Sequence, residues 1–205
     1  MRCEIDHLVV TAPSLRSGGD YVRSVLGVAP GPGGAHARMG THNLLLRLGE
    51  SVFLEVIAPD PAAAHPGRPR WFGLDDVAAP RLAAWVARTD DLSQCPQEVL
   101  EECGAVETMT RGAREWLITI PADGRLPLVG ALPMLIEWQS PRAPAGAGLP
   151  EAGCALAALG LRHPGPARVQ ALLARAGFEG RLAVEAGEPG LWADIATPAG
   201  LRRLA

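Results

Sequence analysis

The chain has 205 residues, a formal net charge of −3 and an apolar content of 48%. This length allows one domain or two small ones with a substantial core, and the composition is typical of a folded globular protein. The absence of a basic stripe disfavours nucleic acids and anionic membranes as partners. All 19 basic residues are arginine, which excludes a Schiff-base lysine and a P-loop lysine.

Cysteine usage and the N-terminal sequence indicate a compartment. The four cysteines are scattered without a Cys-x-x-Cys motif, as expected for reduced thiols in a cytosolic protein. The apolar run that follows Met1 is short and contains acidic residues, so we predict no signal peptide. No stretch approaches the roughly 18 apolar residues of a membrane span. We therefore expect a cytoplasmic protein.

The hydrophobic periodicity of the first sixty residues predicts one strand, one helix and a hairpin. Ser14 is a suitable N-cap for the helix and Gly27 a suitable C-cap. The predicted elements are a strand at 5–11, a helix at 15–26, a loop at 30–34 and strands at 44–48 and 52–57.

The same order of elements recurs after a connector rich in proline and glycine at 61–80, in which Trp71 and Phe72 are expected to pack onto the protein body. A second linker is predicted at 141–150. The second copy comprises a strand at 82–87, a helix at 92–103 and strands at 105–109, 116–120 and 134–138. A partial third copy, β-α-β-β, comprises a strand at 155–161, a helix at 164–176 and strands at 181–185 and 191–196.

Two glutamates lie within apolar strands at matching positions of the first two copies. When 52–59 is laid over 134–141, Glu55 coincides with Glu137. A buried, unpaired carboxylate is costly, so each glutamate needs a proton or a partner such as Arg, His or a metal ion. The alternative is that strand alternation turns each glutamate towards solvent.

His7 opens the apolar part of the first strand and could lie near Glu55 in one sheet. One imidazole and two carboxylates are acceptable ligands for a divalent ion that keeps positions open for water and substrate. The alternative is that His7 only hydrogen-bonds a backbone group.

Several segments of this chain together resemble the glyoxalase-like domain family of the vicinal oxygen chelate superfamily. The resemblance covers nearly the whole chain, and its Gly-Thr-His-Asn and Glu-Trp segments are the more specific parts. The matching segments are Asp6–Val10, Gly33–His36, Gly40–Asn43, Phe53–Pro59, Trp116–Pro121, Leu132–Trp138, Leu161–Pro164 and Thr197–Gly200.

The resemblance implies an α+β fold in which two βαβββ modules form an incomplete β-barrel around a divalent metal (Zn, Fe, Mn or Ni). It implies His7, Glu55 and Glu137 as metal ligands, with Glu55 or Glu137 as the catalytic base. The fourth ligand is expected on the first strand of the second module, where alignment of Leu92 with Leu15 places Ala84. Alanine cannot bind a metal, so either the centre is more open or the metal has been lost.

Other polar and aromatic residues are candidates for substrate binding. We predict that His42 and Asn43 face the cavity; the alternative is a strand entry with an exposed His42. An arginine can bind an anionic substrate or be solvated at the surface, and a strand tryptophan can wall the pocket or pack in the core. His36 and His65 are expected to be solvated, and His163 to be structural. The arginine candidates are Arg38, Arg111 and Arg114, with Arg114 preferred, and the candidate aromatic walls are Trp85, Trp116 and Trp138, with Trp116 preferred.

Two functions are therefore predicted for this chain. The first is a metal-dependent isomerase, lyase or dioxygenase that acts on vicinal oxygens of a small substrate. The alternative is a metal-free protein that binds or sequesters a small molecule in the same cavity. We expect a glyoxalase-like domain at 1–142 with modules at about 1–60 and 81–142, the third copy at 151–205 packed on it, and a monomer or homodimer.

Overall fold

The computed structural model describes residues 1–140 and 145–205 and has the predicted α+β fold with tandem βαβββ modules. Residues 141–144 of the predicted linker lie outside the described residues. The first module consists of β1 (Cys3–Thr11), α1 (Leu15–Leu26), β2 (Gly31–His36), β3 (Thr41–Arg47) and β4 (Phe53–Pro59). The second consists of β5 (Arg81–Thr89), α2 (Gln97–Cys103), β6 (Ala105–Arg111), β7 (Arg114–Ile120) and β8 (Met134–Ser140).

The strands of both modules form one eight-stranded sheet in the order β2-β3-β4-β1-β5-β8-β7-β6. Within each module the first strand pairs in parallel with the last, and the antiparallel pair β1–β5 joins the modules. The sheet curls, so that Arg38, just after edge strand β2, donates to the carbonyl oxygen of Thr108 on edge strand β6 at 2.6 Å. The result is an incomplete barrel.

The cap residues identified in the sequence set the limits of α1. The hydroxyl of Ser14 accepts the backbone N–H of Ser17, and Gly27 ends the helix with a φ of 73°. This left-handed conformation favours glycine. In the second module the helix begins later than predicted, because 92–94 form a 3₁₀ turn and Pro96 precedes α2. The prediction of a helix from residue 92 was therefore wrong at its start.

The predicted loop at 30–34 is also wrong after its first residue, because Gly31–His36 form edge strand β2, whose one neighbour among the described strands is β3. A strand this rich in glycine and proline is tolerated at an edge, where one side of its backbone needs no partner. Trp71 and Phe72 of the connector are buried as predicted.

The C-terminal unit has the predicted β-α-β-β order and one further strand. It comprises β9 (Ala155–His163), α3 (Pro166–Arg175), β10 (Leu182–Ala186), β11 (Gly190–Thr197) and β12 (Gly200–Leu204). Its sheet has the order β10-β9-β11-β12, so its first strand lies beside its second and third rather than its last. This pairing differs from that of the two modules.

Strand alternation gives the large sheet two different faces. The outer face packs against the helices and the C-terminal unit through residues such as Leu8, Leu54 and Trp85. The inner face carries a second apolar cluster that includes Val9, Ile57 and several aromatic side chains. None of the helices described here is long and apolar enough to cross a membrane.

Candidate functional site

A small cavity lies on the inner face of the curled sheet, between the two modules. Its volume is about 40 Å³, which is room for an ion, a few water molecules or a small group of a substrate. It is lined by His7, His36, Asn43, Leu45, Phe53, Glu55, Trp71, Phe72, Arg111, Trp116, Ile118, Ile136 and Trp138.

His7 faces this cavity by strand alternation with Val9 of the inner cluster, and the pairing of β1 with β5 shifts register between Ile5 and His7, which leaves Asp6 as an extra residue. A bulge of this kind brings an extra residue into the strand and redirects its side chains. The fully buried Asp6 binds the His7 ring, with 2.6 Å between Oδ1 and Nδ1, and its Oδ2 accepts the indole N–H of Trp138 at 2.9 Å. Since a carboxylate only accepts, His7 carries its hydrogen on Nδ1 and presents Nε2 to the cavity.

Glu55 lies on β4 beside β1, and its Oε2 is 3.6 Å from Nε2 of His7. Its other oxygen, Oε1, accepts a hydrogen bond from Nδ2 of Asn43 on the neighbouring strand β3. Asn43 is fixed in turn by the backbone N–H of Gly34, which donates to Oδ1 at 2.8 Å. The prediction placed His7, Glu55 and Asn43 together, and the structure brings them into one cavity.

Glycine at position 33 makes room for this arrangement. A Cβ atom on Gly33 would lie 2.0 Å from Oδ1 of Asn43, much closer than non-bonded atoms approach. The Pro/Gly-rich segment before His36 therefore positions the amide that holds Glu55.

His36 was predicted to be solvated, and this was wrong: only 5% of its surface is exposed. The Arg111 guanidinium contacts its Nε2 at 3.3 Å, and because guanidinium only donates, Nε2 must be the acceptor. Nδ1 then donates to the hydroxyl of Thr41 at 3.2 Å, which also accepts the indole N–H of Trp71. Burial lowers the pKa of His36 to about 4. The charge of Glu55 acts to raise this pKa and the charge of Arg111 acts to lower it further. The ring is therefore neutral.

Of the three candidate arginines, the structure places Arg111 on the cavity wall. Arg38 is bound by Glu107 at the junction of the sheet edges. Arg114 lies with its guanidinium carbon 5.8 Å from the ring centre of Trp138, outside the residues that line the cavity. The preference for Arg114 was therefore misplaced, although Trp116 does line the cavity as predicted.

Glu137 does not reach the cavity, which corrects its assignment as a metal ligand and base. Its neighbours Ile136 and Trp138 face the cavity, so strand alternation turns Glu137 to the opposite face. There its Oε2 accepts the backbone N–H of Leu92 at 2.7 Å. The superposition of Glu55 on Glu137 was therefore wrong, because it matched a residue on the cavity face of β4 with a residue on the opposite face of β8. A shift of one residue along a strand reverses the face of every side chain.

His42 is misplaced for the same reason. Asn43 faces the cavity, so His42 faces the other side of β3, with its Nδ1 3.9 Å from Oδ1 of Asp60. His65 is exposed as predicted. Nδ1 of His163 accepts the backbone N–H of Gly165 at the start of α3, a structural contact.

The donor atoms present do not fit the expected metal centre. His7 and Glu55 are the two predicted ligands in the cavity, and Ala84 and Val86 of β5 lie in the inner apolar cluster and cannot bind a metal. No group of three or more His, Cys, Asp or Glu side chains in residues 1–140 and 145–205 could hold a metal ion. Catalytic zinc and non-haem iron sites use three protein ligands, and the Arg111 cation in the same cavity opposes a second positive charge.

Two polar groups of the site were not predicted from the sequence. Asp6 was treated only as part of a motif, because a bulge that directs it inwards leaves no mark in hydrophobic periodicity. His36 was missed because it closely follows Gly33 and Gly34, in a segment whose composition predicts a loop. No sequence feature marks its burial, which depends on the contacts of the ring with Thr41 and Arg111.

A curled sheet of two βαβββ modules with a buried His-Glu pair at its centre defines a glyoxalase-type fold. The sequence model of the "Glyoxalase-like domain" family matches residues 5–177. The chain belongs to this family, which confirms the resemblance found in its sequence, and so to the vicinal oxygen chelate superfamily.

Solved structures with a similar fold have low sequence identity to this chain. A hypothetical protein from Staphylococcus aureus is 13% identical with a TM-score of 0.64, and the match covers 92% of this chain and 87% of that one. Methylmalonyl-CoA epimerase in complex with methylmalonyl-CoA and NH4+ is 14% identical with a TM-score of 0.45, over 70% of this chain and all of the epimerase. The epimerase from Mycobacterium tuberculosis is 15% identical with a TM-score of 0.41, over 64% and 84%. No curated protein matches this chain.

Proposed function

We propose that this glyoxalase-like protein is an enzyme that transfers a proton on a small substrate, using His7 and Glu55 without a resident metal. One observation supports the proposal: two proton-accepting atoms, His7 Nε2 and Glu55 Oε2, lie 3.6 Å apart at the cavity. Both residues are buried. Each atom lies on a side chain whose other polar atom is already bound by a neighbour. General acid–base catalysis requires groups held in this way within reach of the reacting atom.

The two groups have complementary surroundings for proton transfer. Asp6 holds the His7 ring in the tautomer that leaves Nε2 free to take a proton, and it stabilises the imidazolium that results. Asn43 holds Glu55 by one oxygen and leaves the other beside His7. One group can remove a proton from a substrate carbon, and the same proton, held by that group or passed to its neighbour 3.6 Å away, can be returned at another position or face, as isomerase chemistry requires.

The same donor set argues against the other predicted functions. Dioxygenase chemistry of this fold type needs a redox-active metal, and the cavity provides two protein ligands for one. Sequestration of a drug-sized molecule needs a pocket of roughly 300–1,000 Å³, whereas the cavity here measures about 40 Å³. A small substrate is therefore favoured over a bulky ligand.

Carbon–hydrogen exchange in D₂O tests the proposal without knowledge of the final product. We would incubate the protein with small carbon acids, both carboxylates and neutral carbonyl compounds, and follow loss of the acidic C–H signal by ¹H NMR. We expect exchange with the native protein and at least about a hundredfold slower exchange in Glu55→Gln and His7→Gln, the usual contribution of a positioned base.

Glu137→Gln is the matched control, because Glu137 lies on the opposite face and glutamine retains an acceptor for the Leu92 backbone N–H. This variant should exchange at the native rate. Equal rates in Glu55→Gln and the native protein, or loss of exchange in Glu137→Gln alone, would show that the cavity is not the site of proton transfer.

A further inference from the structure

The guanidinium of Arg111 is a charge in the cavity without a charged partner among the described residues. Its Nη1 contacts two neutral acceptors, His36 Nε2 at 3.3 Å and Asn43 Oδ1 at 3.4 Å. By contrast, Arg68 and Arg88 each bind a carboxylate at 2.7 to 2.8 Å. Arg111 is half-buried, and a cation partly withdrawn from water without an adjacent counterion is costly, so Arg111 is suited to receive an anion.

No neighbour of Arg111 among the described residues forms an ion pair with its guanidinium. His36 is neutral, since burial lowers its pKa to about 4, and it can only accept a hydrogen bond from the guanidinium. Glu55 reaches Arg111 indirectly, through Asn43, whose Nδ2 donates to the carboxylate and whose Oδ1 faces the guanidinium. Burial also lowers the pKa of Arg111 itself, with the charge of Glu55 acting in the opposite direction and that of Arg114 adding to the decrease, and a bound anion would raise it.

The shape and walls of the cavity define the class of anion. Five aromatic side chains line it, which suits an apolar body next to the charged group. The planar fork of a guanidinium matches the two oxygens of a carboxylate. Glu55 in the same cavity would repel a second negative charge, so a monoanion is favoured over a phosphate dianion. The five aromatic residues that line the cavity are Phe53, Trp71, Phe72, Trp116 and Trp138.

We infer that Arg111 binds the carboxylate of a small, monoanionic, apolar carboxylic acid and so defines the substrate class of this site. The inference rests on the proposed function for its catalytic consequence: the carboxylate held by Arg111 would place the adjacent C–H in the cavity that His7 and Glu55 share. The second module thereby selects the substrate that the first module acts on.

Indole NMR signals offer a direct test of binding. Trp71, Trp116 and Trp138 line the cavity, whereas Trp85 and Trp192 lie elsewhere and serve as internal controls. We would titrate the ¹⁵N-labelled native protein with propionate, with its neutral isostere propionamide and with inorganic phosphate. We expect propionate to shift the cavity signals and to bind at least tenfold more tightly than the other two compounds.

Arg111→Gln should weaken propionate binding at least tenfold, and Arg111→Lys, which keeps the charge, should weaken it less. Arg125→Gln is the control, because the Arg125 side chain is 85% exposed and lies outside the cavity. Equal binding of propionate and propionamide by the native protein would overturn the inference whether or not a variant folds. Preferential binding of phosphate, or unchanged propionate binding in Arg111→Gln, would also overturn it.

The outcomes separate this inference from the proposed function. Propionate binding through Arg111 without any C–H exchange would support the inference and contradict the proton-transfer function. Exchange restricted to neutral carbonyl compounds, at the same rate in Arg111→Gln, would support the function and contradict the inference.

Discussion

The burial of His36 leads to a quantitative prediction of how the free energy of unfolding depends on pH. Burial lowers the pKa of His36 from its ordinary 6.5 to about 4 in the folded protein. Between these values the unfolded chain binds a proton that the folded protein does not, so stability falls as the pH decreases. Arg111, His7 and His42 repel a proton on this ring and Glu55 attracts one, with desolvation as the largest effect.

The magnitude follows from proton linkage. With these two pKa values, the free energy of unfolding contributed by His36 decreases by about 2 kcal/mol between pH 7 and pH 5, and by about 3 kcal/mol in total by pH 4. The contribution of His36 to stability is fully present above 6.5, its pKa in the unfolded chain, and is lost as the pH falls towards about 4, its pKa in the folded protein. Because other groups also titrate in this range, the prediction concerns a difference between two proteins.

His36→Gln supplies that difference, since glutamine can accept from Arg111 and donate to Thr41 but does not titrate. We would measure urea unfolding of the native protein and of His36→Gln at several pH values, with His65→Gln as an exposed control. The native protein and the control should lose about 2 kcal/mol more than His36→Gln between pH 7 and pH 5. Parallel pH curves for all three proteins would refute the assignment of a buried, neutral His36.

Three further predictions concern packing, metal and thiols. Gly33→Ala should lower the free energy of unfolding in urea by about 1–3 kcal/mol, because the added methyl group collides with Asn43. Gly31→Ala should lower it clearly less, because a Cβ atom there would have its nearest neighbour at 3.8 Å. Equal losses would contradict the close approach at Gly33. The purified protein should contain well under one equivalent of transition metal, and a stoichiometric metal that is lost in His7→Ala would overturn the metal-free proposal. The four cysteines are buried, and burial raises the pKa of Cys103 to about 12. The native protein should therefore react slowly with a thiol reagent at pH 8, whereas the unfolded protein should react fully. Rapid labelling of the native protein would contradict this burial.

Much of the fold follows from local patterns because those patterns are set by burial. Helix α1 was predicted with its observed limits, since its apolar spacing and both caps agree. Strand β2 was not predicted, because its composition is that of a loop and only pairing with β3 makes it a strand. Strand β12 was missed for a related reason: four of its five residues are exposed, so it carries little periodic signal.

The site was less predictable, because its composition depends on which face each strand residue occupies. His7 and Glu55 were identified from residue type, and the structure places both in the cavity, although their roles remain proposals. Glu137 and His42 were identified in the same way and lie on the opposite faces of their strands. Residue type and approximate position do not fix parity, and in a period-2 structure parity decides whether a side chain enters the site.

The two modules share a fold but contribute unequally to the cavity. The first supplies the polar groups Asp6, His7 and Glu55, together with the amide that holds Glu55. The second supplies aromatic walls and one cation, Arg111, at the end of its edge strand. Because the curled sheet brings its two edges together, that cation can reach His36 and Asn43 of the first module. If the proposed function holds, one module can keep the groups proposed to transfer a proton while edge strand β6 of the other module changes the charge of the site, and hence the class of substrate that it binds.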